Sequence, residues 1–129
     1  MNYGIWLSTS ENIRAGFETT TGTDNYVTSP LKYNDGNWHY AVATYNGTKL
    51  VLYIDGMQVA TKSTTAVPDN TGSQPFRYGA NSLALNGYFI GNVDESRVWN
   101  RTLSSAEVAN AYNTGTFDIS GQVLYQPFS

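Results

Sequence analysis

Cysteine is absent from the 129-residue chain, histidine occurs once, and only 13% of residues are charged. Without cysteine there is no disulfide, no thiolate nucleophile and no zinc–thiolate site. The seven basic residues, Arg14, Lys32, Lys49, Lys62, Arg77, Arg97 and Arg101, never cluster, and the formal net charge is −3. Nucleic-acid binding needs a basic patch, so that class of partner is set aside. No apolar run approaches the roughly 18 residues of a membrane span, and the N-terminus shows neither the basic nor the apolar region of a signal peptide. Membrane insertion is therefore not expected. No linker, low-complexity tract or tandem repeat breaks the chain.

What the chain does have is aromatic rings: ten tyrosines, three tryptophans and five phenylalanines. Aromatics fill pleated surfaces well and point to β-structure; a surface that stacks on ligands is the sharper alternative. The coarse pattern predicts strands near 3–8, 12–18, 25–28, 38–45, 49–55, 57–62, 75–79 and 87–99. Segment 38–62 reads as a three-stranded meander. Asn46-Gly47 and Asp55-Gly56 join its strands, and Asp35-Gly36 precedes it. Each dipeptide suits the positive φ angles of tight turns. In the first meander strand Trp38, Tyr40 and Val42 share one face, and Ala41, Ala43 and Tyr45 the other. A strand apolar on both faces needs cover on both.

One helix is expected near 104–113. Ser104 and Glu107 have capping-box spacing, and Asn113-Thr-Gly115 supplies a stop. In the stretch 88–99 the alternation changes phase, which predicts a bulge near Asp94-Glu95. Many strands with one peripheral helix argue for an antiparallel sandwich or jelly roll. Residues 116–129 read as a final strand or ordered tail.

Two blocks carry a resemblance. The first is Asp35-Gly36-x-Trp38-His39, then Ala43-Thr44-Tyr45-Asn46-Gly47 and Leu52-Tyr53-Ile54-Asp55-Gly56. The second is Gly91-x-Val93-Asp94-Glu95-x-Arg97-Val98-Trp99-Asn100-Arg101-x-Leu103-Ser104. Together they resemble the laminin-G-like, concanavalin A-like lectin/glucanase family over roughly residues 3–115. The resemblance implies an all-β, antiparallel jelly-roll sandwich with Leu50, Leu52 and Ile54 in the core between sheets. Val51 and Tyr53 would face the other way, toward a concave surface where such proteins often bind sugars. It also implies an extracellular setting and a structural Ca²⁺ with Asp94 among its oxygen ligands. The strands that usually open such domains are not recognisable before Tyr3, which leaves an expected sheet edge and part of the core bare.

For chemistry, glucanases on this fold carry acid and nucleophile as Glu-x-Asp-x-Glu on one strand face. The ten acids here, Glu11, Glu18, Asp24, Asp35, Asp55, Asp69, Asp94, Glu95, Glu107 and Asp118, include no pair two residues apart. A pair drawn from distant strands remains open. His39 is either structural or a base awaiting partners that sequence does not locate. Sugar recognition is expected at Tyr53, Asn81, Asn86 and Tyr88, the last three in a loop at one sandwich end. Asn46-Gly-Thr48 and Asn100-Arg-Thr102 match the glycosylation pattern.

These readings converge on a non-enzymatic, lectin-like module that binds carbohydrate. The alternative is a module that binds protein or itself, and a glycoside hydrolase ranks third. A bare sheet face and edge over the meander would favour a homo-oligomer, most simply a two-fold dimer.

Overall fold

A computed structural model of the chain describes residues 3–72, 76–80 and 88–128. The elements in chain order are β1 (Tyr3–Leu7), β2 (Asn12–Glu18), β3 (Asp24–Lys32), β4 (Ala41–Tyr45), β5 (Lys49–Ile54), β6 (Met57–Ser63), β7 (Ser96–Trp99), α1 (Ser105–Thr114) and β8 (Gln122–Gln126). All strand pairs are antiparallel, in sheets ordered β1-β2-β3, β4-β5-β6 and β7-β8. The first two sheets pack face to face as a sandwich, with the third beside them.

The core between the large sheets holds Ile13, Ala15 and Val27 from one side and Leu50, Leu52 and Ile54 from the other. The period-2 alternation of β2 and β5 puts these residues on one face. Tyr45 and Ala43 pack against this core, while Tyr40 and Val42 pack on the opposite side of the β4–β6 sheet. The two-faced reading of the meander is therefore right, and its second cover is local. Val51 and Tyr53 lie under Leu103 and Val108, so α1 and its approach close that face. The capping box forms as expected, with the Ser104 hydroxyl accepting from the Glu107 N–H and the Glu107 carboxylate accepting from the Ser104 N–H. Gly115 ends the helix at φ 68°.

Turn chemistry explains two boundaries. Asp55 (φ 52°) and Gly56 (φ 82°) make the tight β5–β6 turn in which both central residues take positive φ. The Asp55 carboxylate then accepts the Tyr40 N–H, and the Asp55 N–H donates to the Tyr40 carbonyl. A side chain thus replaces the next rung of the ladder, and β4 starts at Ala41 rather than at residue 38. In contrast, β3 runs on to Lys32 through Pro30. The register slips there, and Asn12 and Ser29 side chains bond the freed backbone at Ile13, Ser29 and Leu31. A bulge is where a strand tolerates a residue with no N–H.

The C-terminal third corrects three expectations. Residues 76–80 form no strand, and 73–75 lie outside the described residues. Of the expected span 87–99, residue 87 lies outside the described residues, and within 88–99 only Ser96–Trp99 is strand. The slip in the β7–β8 ladder falls between Val98 and Trp99, not at Asp94-Glu95; Glu95 instead sits just before β7 at φ 53°. The tail folds back: β8 pairs with β7, the Trp99 indole N–H donates to the Asp118 carbonyl, and Arg101 Nε donates to the Ser120 carbonyl.

Candidate functional site

Tyr53 is buried, at 6% exposure, beneath Leu103 and Val108. Its ring packs in the interior and offers no platform to a sugar, which corrects the expectation placed on it. Asn81 and Asn86 lie outside the described residues. Tyr88 is well exposed, in irregular chain before β7. No described contact joins it to Tyr53, so the expected sugar-binding set is not assembled as one site among the described residues.

Asp94 Oδ1 accepts the backbone N–H groups of Glu95 and Phe128, fastening the C-terminal tail to the bend before β7. The neighbouring Glu95 carboxylate is bonded to Arg97 Nη2 at 3.0 Å and to the Tyr125 hydroxyl at 3.0 Å. Among the described residues no three Asp, Glu, His or Cys side chains converge as a metal cage would. A carboxylate oxygen that faces two N–H donors suits a tail anchor.

His39 stands between two carboxylates. Nδ1 lies 2.8 Å from Asp55 Oδ2, Nε2 lies 3.0 Å from Asp35 Oδ1, and Tyr33 meets the ring edge-on. Asp35-Gly36 thus serves not as a hairpin turn but as a bend that returns Asp35 to His39. The bond to Asp55 raises the histidine pKa; burial opposes this and Asp35 adds to it. The Asn37 N–H, followed by His39, pulls Asp35 down to about 2. With both ring nitrogens engaged by carboxylates, the imidazolium form is favoured and no ring nitrogen is left free to act as a general base. The cluster joins a loop to a turn and presents no nucleophile.

The exposed face of the β1–β3 sheet is different. Alternation puts Trp6, Arg14, Gly16, Tyr26 and Thr28 on the side away from the core. Trp6 and Tyr26, with ring centroids 6.0 Å apart, remain 41% and 37% exposed. The Arg14 guanidinium lies 4.8 Å from the Tyr26 ring centroid. Gly16 makes this possible, because a Cβ there would lie 2.6 Å from Tyr26 Cα and would also strike the Asn25 carbonyl oxygen. Beside the rings an open cleft of about 510 Å³ follows the seam where β3 meets β6, lined by Asp24, Tyr26, Thr28, Thr61 and Lys62 among others. Arg14 and Lys62 form no ion pair with any described residue.

Sequence reasoning missed this surface because its rings lie 20 residues apart and meet only through strand register. Two signals were available: bulky residues on both faces of Tyr3–Leu7, and a glycine among the side chains of Asn12–Glu18.

The comparison with protein families agrees with this architecture. No curated protein matches the sequence. One similar solved structure is a crystal structure of an S-layer domain-containing protein (residues 221–444) from Clostridium thermocellum, at 20% identity and a TM-score of 0.48. The match covers 86% of this chain and 63% of that one, so the chain spans less than two thirds of its length. A laminin-G-type family model described as the concanavalin A-like lectin/glucanases superfamily matches residues 2–109. That match takes in most of the chain, including both blocks that carry the resemblance and the whole β-sandwich, and the protein belongs to this superfamily.

Proposed function

We propose that the protein is a non-enzymatic, lectin-like binding module for carbohydrate, which it holds on the outer face of the β1–β3 sheet. The observation that carries this reading is the exposed Trp6–Tyr26 pair beside the open cleft between β3 and β6. Sugar rings present C–H faces that pack on aromatic planes, and their hydroxyls need donors and acceptors at the rim. Arg14, Lys62, Asp24, Thr28 and Thr61 supply both kinds. The superfamily is one of lectins as well as glucanases.

The acids support binding over hydrolysis. A glycosidase acid keeps its proton through a raised pKa. Here Glu11, Asp35, Asp69, Glu107 and Asp118 are all shifted downward by hydrogen bonds and cationic neighbours. Glu95 is tied to Arg97 and Tyr125. A second reading, a module that binds protein, is favoured by the unpaired edge of β1.

Affinity electrophoresis and a glycan array test the proposal. Retention by at least one polysaccharide should be lost in Trp6→Ala and in Tyr26→Ala, each by about tenfold, with the fold intact by circular dichroism. Absence of retention across diverse glycans, or retention unchanged in both variants, would overturn it.

A further inference from the structure

The bare apolar surface expected over the meander lies elsewhere. The meander is covered on both faces, and β1 is the strand left open. Among the described residues it ends its sheet and pairs with β2 alone, and it carries no charge in Tyr3-Gly4-Ile5-Trp6-Leu7. Tyr3 and Ile5 belong to the core-facing side by register with Phe17 and Ala15, yet they remain 52% and 47% exposed. The β4–β6 sheet packs mainly on β2 and β3; of β1, Leu7 reaches the core and Tyr3 meets the Phe76 ring at 6.3 Å, while Ile5 has less cover. Edge strands ordinarily carry charge, proline or a bulge that deters pairing. β1 has none of these.

The phase of the ladder shows which groups face outward. The Ser8 N–H donates to the Asn12 carbonyl, making Ser8 and Asn12 a hydrogen-bonded pair. Antiparallel pairs alternate, so Trp6–Arg14 and Gly4–Gly16 bond to each other, while Leu7–Ile13, Ile5–Ala15 and Tyr3–Phe17 do not. The N–H and C=O groups of Tyr3, Ile5 and Leu7 therefore point to the open edge, with no backbone partner among the described residues.

We propose that β1 pairs with β1 of a second copy, antiparallel across a two-fold axis through Ile5. In this register Ile5 meets Ile5, Tyr3 meets Leu7, and all three outward-facing residues exchange both backbone bonds with the other copy. Their side chains continue the core-facing side with apolar groups alone. On the outer side Trp6 of each copy lies opposite Gly4 of the other, where a large ring covers a residue with no side chain. The strand is thus complementary to itself in hydrogen-bond phase, in polarity and in bulk. The joint sheet has the order β3-β2-β1-β1-β2-β3.

Area sets the strength. With fully covered aromatics burying about 150–250 Å² each, the exposed parts of Tyr3 and Ile5 from two copies sum to roughly 400 Å², and the outer face of Trp6 stays open. Backbone atoms add to this, but the total stays below the roughly 1,200–2,000 Å² of stable complexes. The dimer is therefore weak, with a dissociation constant on the order of tens of micromolar.

The native chain lacks cysteine, which permits a direct test of register. Hydrogen-bonded antiparallel pairs place Cα atoms about 5.5 Å apart, within reach of a disulfide. Under mild copper oxidation Ile5→Cys should crosslink to a covalent dimer, whereas Tyr3→Cys, whose partner is Leu7, should not crosslink to itself. Sedimentation equilibrium of the native chain should show monomer giving way to dimer as concentration rises through tens of micromolar, and Ile5→Lys should weaken this about tenfold by placing like charges on the axis. A native chain that stays monomeric to millimolar concentration would overturn the proposal, whatever the variants do. Equal crosslinking at positions 3 and 5 would overturn the register. The first result also covers an edge meant for a different partner. Neither depends on sugar binding, so the two proposals fail separately.

Discussion

His39 Nδ1 sits 2.8 Å from Asp55 Oδ2, and Asp55 Oδ1 accepts the Tyr40 N–H at 2.9 Å. One carboxylate thus holds both the histidine ring and the start of β4 to the β5–β6 turn. The groups facing the ring are Asp35, Asp55 and Tyr33, and burial followed by the Asp55 charge raises the Tyr33 pKa.

This pairing predicts the pH dependence of stability. The His39 pKa is higher folded than unfolded, so its contribution is complete below the unfolded value near 6.5 and fades as pH rises through the folded one. Asp35 acts in the opposite sense. Its contribution is present above the ordinary value of 3.8 and fades as pH falls through about 2. Thermal melts should show loss of stability as pH rises above about 6.5, and His39→Gln should flatten that limb. An unaltered alkaline limb in the variant would refute the assignment.

Tyr53 and Tyr26 should separate stability from binding. Tyr53→Ala opens a cavity under Leu103 and Val108 and should cost about 3–5 kcal/mol, read by denaturant unfolding. Tyr26→Ala should leave the unfolding midpoint nearly unchanged while weakening retention on the glycan gel about tenfold. The reverse pattern would return the binding site to the face under α1.

Calcium should have no effect on stability. Because Asp94 Oδ1 serves backbone N–H groups, melting curves in EDTA and in millimolar Ca²⁺ should coincide, whereas a ligand held only by the folded state would raise the midpoint. Asp94→Ala should instead loosen the tail, seen as faster amide exchange across Gln122–Gln126.

Arg97 should be the fastening of that tail. Its guanidinium lies 4.0 Å from the Phe117 ring centroid and 3.8 Å from that of Tyr125, with Gln122 Oε1 at 2.9 Å. Each cation–π contact is worth about 0.5–1 kcal/mol, so Arg97→Met should release β8 to proteolysis before the sandwich melts. Glu95→Gln removes the carboxylate joining Arg97 to Tyr125 and should act in the same direction more weakly, with no β-glucan turnover before or after the change.

Local patterns were legible in the sequence. Ser104 and Glu107 announce their capping box, Asp55-Gly56 its turn, and Val51–Tyr53 against Leu50–Leu52 their two faces. What escaped depends on distance along the chain. Nothing near Tyr53 reveals that Val108 covers it, and nothing near Tyr40 reveals that the Asp55 side chain ends its strand. Trp6 and Tyr26 read as ordinary strand aromatics until β2 brings them together. The acidic pair at 94–95 drew attention as a site, and its bonds to Phe128, Arg97 and Tyr125 make it part of the tail's attachment.

Gly16 has a consequence for the history of this surface. A side chain there would push the β3 backbone away from β2 at Asn25 and Tyr26, so the position is closed to drift for as long as the two strands pair in this register. Lineages that keep the paired rings should keep this glycine with them. Because the atoms in the way are the Asn25 carbonyl and the Tyr26 Cα, position 16 should stay glycine even in lineages where position 26 has become small.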